Sequence, residues 1–196
     1  MKRLFDIVFA LIMLLLLAPL FLVLACWVSF DSRGGVFFGQ VRVGKGGKHF
    51  TLWKFRTMKP QSEKGGQLTV GSSDVRITRA GYFLRKFKVD ELPQLWNVVR
   101  GEMSVVGPRP EVPRYVAHYT KEQRIVLSIR PGITDYASLH YFNESDLLAK
   151  SDNPEATYLN EVLPAKLHLN LVYVQSHTFW GDLRIILLTG LRIFRD

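Results

Sequence analysis

Residues 7–30 carry no charge, and as one helix these 24 positions would reach about 36 Å, enough to cross a hydrocarbon core of ~30 Å. The run is too long for a cleaved signal peptide and ends in the bulky Cys26-Trp27-Val28-Ser29-Phe30, so it is expected to stay attached. Pro19 sits at its centre. Lacking an N–H and clashing with the preceding turn, it frees the carbonyl of Leu15 and kinks the helix. Lys2 and Arg3 precede the run, and seven Lys or Arg with no acid follow between Arg33 and Lys59, so the positive-inside tendency keeps both ends cytoplasmic. A helix-break-helix that enters and leaves by one face satisfies both observations, and a kinked single span is the alternative that the pattern leaves open.

After this run the pattern changes to that of a folded polar body. Residues 36–43 and 49–55 are rich in β-branched and aromatic side chains and flank Gly44-Lys45-Gly46-Gly47, a hairpin signal. The glycines lie between two strands and lack the Gly-Lys-Ser/Thr ending of a P-loop, so they are read as a turn. Residues 60–73 read as a mobile surface loop. A short basic helix is predicted over 77–87, and a second over 92–99 with Leu92, Leu95, Trp96 and Val99 on one apolar stripe. Asp90 would cap the second helix, Pro93 would fall in its first turn and Gly101 would end it. Residues 112–129 read as a helix stopped by Pro131-Gly132, and 153–175 as a long helix interrupted at Pro164. Residues 183–194 are apolar but include Arg184 and Arg192, which suits a helix lying on a membrane or capping the core. The fold class is therefore α+β and mostly helical, with a small β-hairpin. Residues 1–33 form the membrane segment, and residues 34–196 a compact folded domain on the cytoplasmic face.

Composition narrows the partners. The chain has 196 residues and a formal net charge of +9, which favours anions: nucleic acid, acidic headgroups or phosphorylated substrates. Its one cysteine, Cys26, excludes disulfides within the chain and cysteine metal sites, and the five histidines have no ligand-like spacing.

Candidate chemistry centres on Asp90 and Glu91. No acid stands between Val75 and Lys88, but Arg76, Arg79, Arg85, Lys86 and Lys88 do. The helix dipole and these cations would hold the two carboxylates ionised. An ionised Asp is a usable nucleophile toward phosphorus, and two adjacent carboxylates beside a phosphorylated substrate can hold Mg²⁺. A solvated helix cap is the bland alternative. Gly107-Pro108-Arg109-Pro110 fixes an arginine between two prolines, where its guanidinium can meet phosphate. In Trp53-Lys54-Phe55-Arg56-Thr57-Met58 alternation puts Lys54 and Arg56 on one face, which either meets phosphate or is simply wet.

These stretches together with Phe37-Phe38-Gly39-Gln40-Val41-Arg42-Val43-Gly44, Val89-Asp90-Glu91-Leu92-Pro93-Gln94-Leu95 and Arg130-Pro131-Gly132-Ile133-Thr134 resemble the bacterial sugar transferase family, and more narrowly its small monotopic phosphoglycosyl transferases. The resemblance implies transfer of a sugar phosphate from a UDP-sugar to undecaprenyl phosphate with release of UMP, the first membrane step of surface glycan assembly. It implies Asp90 as the nucleophile that forms a covalent phosphosugar intermediate. Glu91 would assist with Mg²⁺ and proton handling, with Lys54, Arg85 and Arg109 at phosphates. It further implies a re-entrant membrane helix in the bacterial inner membrane, broken at Ala18-Pro19 where relatives carry Ser-Pro, and contact with membrane lipid but not nucleic acid. Asp135-Tyr136-Ala137-Ser138 departs from the Gly-Leu-Ala-Gln common in the family, and Ser176 and Thr178 from its Asn and Ser, which leaves the sugar open. Two rivals stand beside this reading: direct one-step transfer, and a non-catalytic basic module tethered to the membrane that binds nucleic acid or acidic lipid.

Overall fold

The computed structural model describes residues 1–60, 62, 68–71 and 74–195, with no side-chain placement for 194 and 195. Most of the expected loop 60–73 therefore lies outside the described residues. The chain is mostly helical with two small sheets, one an antiparallel hairpin and the other a parallel pair.

The apolar run is two helices, α1 (Lys2–Leu16) and α2 (Ala18–Asp31), meeting at 63°. Pro19 lies in the first turn of α2, where its missing N–H is harmless, so the break falls at Leu17. Among the described residues no single helix is long and apolar enough to cross a membrane; only the bent pair meets that test together. The outer faces are bare: Leu15 is 80% exposed and Phe30 90%. On its inner face α1 buries Ala10 in the central core, and its first turns carry two engaged charges. Asp6 accepts from Ser104 Oγ at 2.8 Å and from Val105 N at 3.2 Å. Arg3 donates to the carbonyls of Val98 and Val99. These belong to the last turn of α4 (Gln94–Arg100), so Arg3 supplies the positive charge that a helix C-terminus favours.

The expected hairpin pairs β1 (Phe37–Val43) with β2 (His49–Phe55), Phe37 opposite Phe55 and Val43 opposite His49, across a glycine turn. β2 carries Lys54 at its end. α3 (Arg79–Lys86) is capped by Thr78, whose hydroxyl accepts from Gly81 N. Phe55, Leu24, Val28 and Leu84 form the core beneath it. Short parallel strands β3 (Ser104–Val106) and β4 (Gly132–Thr134) run through the centre. Gly107 and Gly132 are packed backbone to backbone there. A Cβ on Gly132 would lie 2.1 Å from Gly107 N, so only glycine fits and the Pro108-Arg109 turn is held in place.

Three expectations need correction. Asp90 does not cap a helix: it lies inside a 3₁₀ turn over Val89–Glu91, and Pro93 is the residue that precedes α4. The buried face of α4 is Gln94, Leu95, Asn97 and Val98, with Trp96 51% exposed, because the 3₁₀ turn rotates the entry of the helix. Residues 112–129 are not one helix but α5 (Pro113–Val116) and a 3₁₀ turn over Gln123–Ser128. The cause is a capping box: Thr120 Oγ1 accepts from Gln123 N while Gln123 Oε1 accepts from Thr120 N, which restarts the chain between them.

Short helices α6 (Tyr136–His140) and α7 (Glu144–Leu148) follow β4. The long helix appears as α8 (Pro154–Thr157), a π turn over Tyr158–Val162 and α9 (Leu163–Ser176); the π turn absorbs Pro164. The last helix, α10 (Phe179–Arg195), buries Ile185 in the central core and exposes Leu187 and Leu191. Of the two expected roles it fills that of covering the core, and its other face presents apolar surface. Its Asp182 pairs with Lys2 at 2.5 Å and accepts from Tyr173 OH at 2.7 Å, which ties the first helix to the last two.

Candidate active site

The 3₁₀ turn holding Asp90 and Glu91 opens onto a cavity of about 670 Å³. Lys88 enters this turn with φ 54°, left-handed and unusual for a side chain other than glycine. That conformation turns two consecutive carboxylates inward, both well buried.

The two carboxylates have opposite environments. Glu91 receives Arg109 through both guanidinium arms, Nη1 reaching Oε2 at 3.1 Å and Nη2 reaching Oε1, and Lys54 Nζ reaches Oε1 at 2.7 Å. Burial works against its charge, but Arg109 and Lys54 outweigh it and hold its pKa well below the usual carboxylate range. Asp90 is 6% exposed, and its carboxylate accepts no hydrogen bond among the described residues. Burial raises its pKa, and Lys54 only partly opposes the rise. Arg109 and Lys54, rather than the upstream cations, hold Glu91 ionised, whereas at Asp90 desolvation exceeds the attraction of Lys54, Arg85 and Lys88 and moves the carboxyl upward.

The cations are placed by separate elements. Lys54 comes from the end of β2, and burial lowers its pKa against the pull of Glu91. Arg85, on α3, donates from Nε to Thr57 Oγ1 at 2.9 Å and from Nη1 to Thr69 Oγ1 at 3.1 Å. Asp90 stands in its field. Arg109 is steadied by its own N–H, which donates to Asp135 Oδ2 at 3.1 Å. Its guanidinium is committed to Glu91 rather than left open. Arg56 lies past the end of β2, with Nη1 on the carbonyl of Arg33, and takes no part in lining the cavity.

Lys54, Arg85, Asp90, Glu91 and Arg109 therefore meet at one cavity, and Ala18 and Pro19 sit at the helix break away from it. Sequence reasoning missed Asp135, Glu111, Glu144 and Lys166. Asp135 is fully buried and joins the Arg109 turn to α6. An acid directly after the buried β4 strand was the available signal.

Cavity-lining charges comprise seven cations (Arg42, Lys54, Arg85, Lys86, Lys88, Arg109, Lys166) and five carboxylates (Asp90, Glu91, Glu111, Glu144, Asp146) among the described residues. Counted as fully ionised, these leave an excess of two positive charges.

A family profile described as bacterial sugar transferase matches residues 1–196. The chain belongs to the bacterial sugar transferase family. The chain is 37% identical over 196 residues to a UDP-glucose:undecaprenyl-phosphate glucose-1-phosphate transferase of Xanthomonas campestris pv. campestris, covering 98% of this chain and 38% of the relative. It is 35% identical over 191 residues to a UDP-N-acetylgalactosamine-undecaprenyl-phosphate N-acetylgalactosaminephosphotransferase of Aeromonas hydrophila, covering 96% of this chain and 42% of the relative. An uncharacterized sugar transferase of Bacillus subtilis (strain 168) is 36% identical over 189 residues, covering 96% of this chain and 85% of the relative. The chain spans about two fifths of the length of the first two relatives.

Proposed function

We propose that this sugar transferase moves a sugar 1-phosphate from a UDP-sugar to undecaprenyl phosphate, releasing UMP, at the cytoplasmic face of a bacterial inner membrane. The observation that carries this reading is Asp90: a buried carboxylate without a hydrogen bond, beside a clamped glutamate and three cations. A desolvated carboxylate is a stronger nucleophile than a hydrated one. The relatives' names supply the substrate class.

In the first step an Asp90 oxygen attacks the β-phosphorus of the donor. A bond forms from carboxylate to phosphorus, and the bond from that phosphorus to the bridging oxygen breaks, its electron pair leaving with UMP. In the second step an oxygen of undecaprenyl phosphate attacks the same phosphorus, the acyl phosphate bond breaks, and Asp90 returns as a carboxylate. Lys54, Arg85 and Arg109 offset the negative charge that gathers at phosphorus. Glu91, held well below the usual carboxylate range, is a weak base; it serves to position Arg109 and Lys54.

Mg²⁺ fits this donor set through Asp90, whose oxygens are unpaired, more readily than through Glu91, whose two oxygens already meet Lys54 and Arg109. When bound it would neutralise pyrophosphate charge so that an anionic carboxylate can approach. The bent helix pair and the apolar outer surface of α10 support seating in one leaflet with the break at Ala18-Pro19, in contact with membrane lipid.

The test is intact-protein mass after mixing Mg²⁺ and a panel of UDP-sugars with no lipid acceptor. Wild type should gain one sugar phosphate and release UMP, and Asp90→Asn should do neither. UMP that forms only once polyprenyl phosphate is present, with no adduct, would replace the covalent route by direct transfer. No UMP under any condition would sink the reading.

A further inference from the structure

The cavity has a second wall of charges that the phosphorus chemistry does not use. Lys166, on α9, is 6% exposed; its Nζ donates to Glu144 Oε2 at 2.7 Å and lies 4.0 Å from Glu111 Oε1. Glu111 is well satisfied, accepting from Tyr158 OH at 2.5 Å and from Val112 N at 3.2 Å, with Arg42 at 3.6 Å. Glu144 differs. It opens α7 on the cavity wall, and its Oε1 accepts nothing among the described residues. Ser138, on α6, also lines the cavity, and its hydroxyl oxygen is buried without a partner.

Burying the Lys166 ammonium costs desolvation that its pairing with Glu144, itself 26% exposed, does little more than offset, so packing alone gives little reason for Lys166 here. An unpaired buried hydroxyl beside them is likewise unfavourable unless a ligand satisfies it. A carboxylate, an ammonium and a hydroxyl are a set that reads hydroxyl groups, which both donate and accept. Phosphate would be drawn to Lys54, Arg85 and Arg109, and a planar base to the rings that also line the cavity, among them Tyr82 and Phe142. The segment also lies close to the reacting turn: Lys88 Nζ reaches the carbonyl of Phe142 at 3.4 Å, and Asp135 joins Ser138 N to Arg109 N. In an in-line displacement UMP departs opposite Asp90, while the sugar hangs from an oxygen to the side and stays within one ring of the carboxylate.

We propose that Ser138, Glu144 and Lys166 form the subsite that reads the ring substituents of the transferred sugar and so decide which UDP-sugar is used. This rests on the transfer reaction proposed above. The ribose of the donor offers the same hydroxyl chemistry, so the experiment must separate the two.

The measurement is kcat/KM with UDP-glucose, UDP-galactose, UDP-N-acetylglucosamine and UDP-N-acetylgalactosamine for wild type, Glu144→Gln, Lys166→Met and Ser138→Ala, with the affinity of each protein for UDP measured alongside. The subsite predicts that the ratio between the best donor and its epimer changes about 10- to 100-fold while UDP affinity moves less than about threefold. A uniform fall for all donors, or a matching loss of UDP affinity, would overturn it and assign the wall to ribose or to structure. Should Lys166→Met fail to fold, the near-isosteric Glu144→Gln and the small change Ser138→Ala decide the matter. Wild type inactive with every donor would remove the transfer reading and this inference with it; active wild type with uniformly affected variants would remove only the inference.

Discussion

Two of the buried aspartates, Asp6 and Asp90, sit in opposite environments. Asp6, where α1 meets β3, is 2% exposed and accepts hydrogen bonds from Ser104 Oγ and Val105 N. Asp90, in the cavity turn, is 6% exposed and accepts none among the described residues. Equal burial therefore does not mean equal purpose. A carboxylate whose desolvation is compensated by donors holds elements together, whereas one left uncompensated is destabilising in the resting protein and available to an incoming phosphorus.

The largest effect should come from Asp90→Asn, which removes the nucleophile without removing a hydrogen bond. Transfer should fall by at least about 10³-fold while the thermal midpoint stays level or rises. A destabilised variant that keeps activity would break the comparison by making Asp90 structural. Next in size is Arg109→Lys, which loses the two-armed grip on Glu91; kcat/KM should drop about 10²-fold, and a loss under threefold would place Arg109 outside the reaction.

Asp6→Ala should show the reverse pattern. It strands Ser104 and Val105 donors and should lower stability by about 1–3 kcal/mol in a denaturant melt, with the folded fraction still forming adduct at close to the wild-type rate. Loss of adduct with an unchanged melt would mean that the two sites are not separable.

The smallest effect concerns pH, and it tests a third buried carboxylate that belongs with Asp6. Burial raises the pKa of Glu111, but Lys166, Arg42 and the bonds from Tyr158 and Val112 more than reverse it, so the group titrates below its ordinary value. A depressed carboxylate contributes stability above its unfolded pKa of ~4.3 and loses it as pH falls through the folded value. Thermal midpoints should thus decline on acidification below about pH 4.5, with a shallower slope in Glu111→Gln. Equal slopes would show that Glu111 does not carry the acid limb.

Much of this was readable one segment at a time. The hairpin followed from alternating β-branched residues around a glycine turn, and the helix break from Pro19, because backbone sterics act over a few residues. Asp90, Glu91 and Arg109 were visible as charges in unusual local settings, whereas Arg85 and the choice of Lys54 over Arg56 came from the family resemblance. Residues 112–129 were misread because apolar spacing was followed past Thr120 and Gln123, whose side chains compete locally with the helix.

By itself, then, the sequence determined most of the local elements, the apolar lead helices and the charged residues that make up the candidate site, since propensity, periodicity and charge are properties of neighbours in the chain. Only the tertiary structure decided that Glu91 is clamped and Asp90 is not, that Arg3 and Asp6 lock the first helix to α4 and β3, and that Ser138, Glu144 and Lys166 share a wall with the catalytic turn. Burial and hydrogen-bond partnership are set by residues tens of positions away, and a carboxylate's reactivity follows from both.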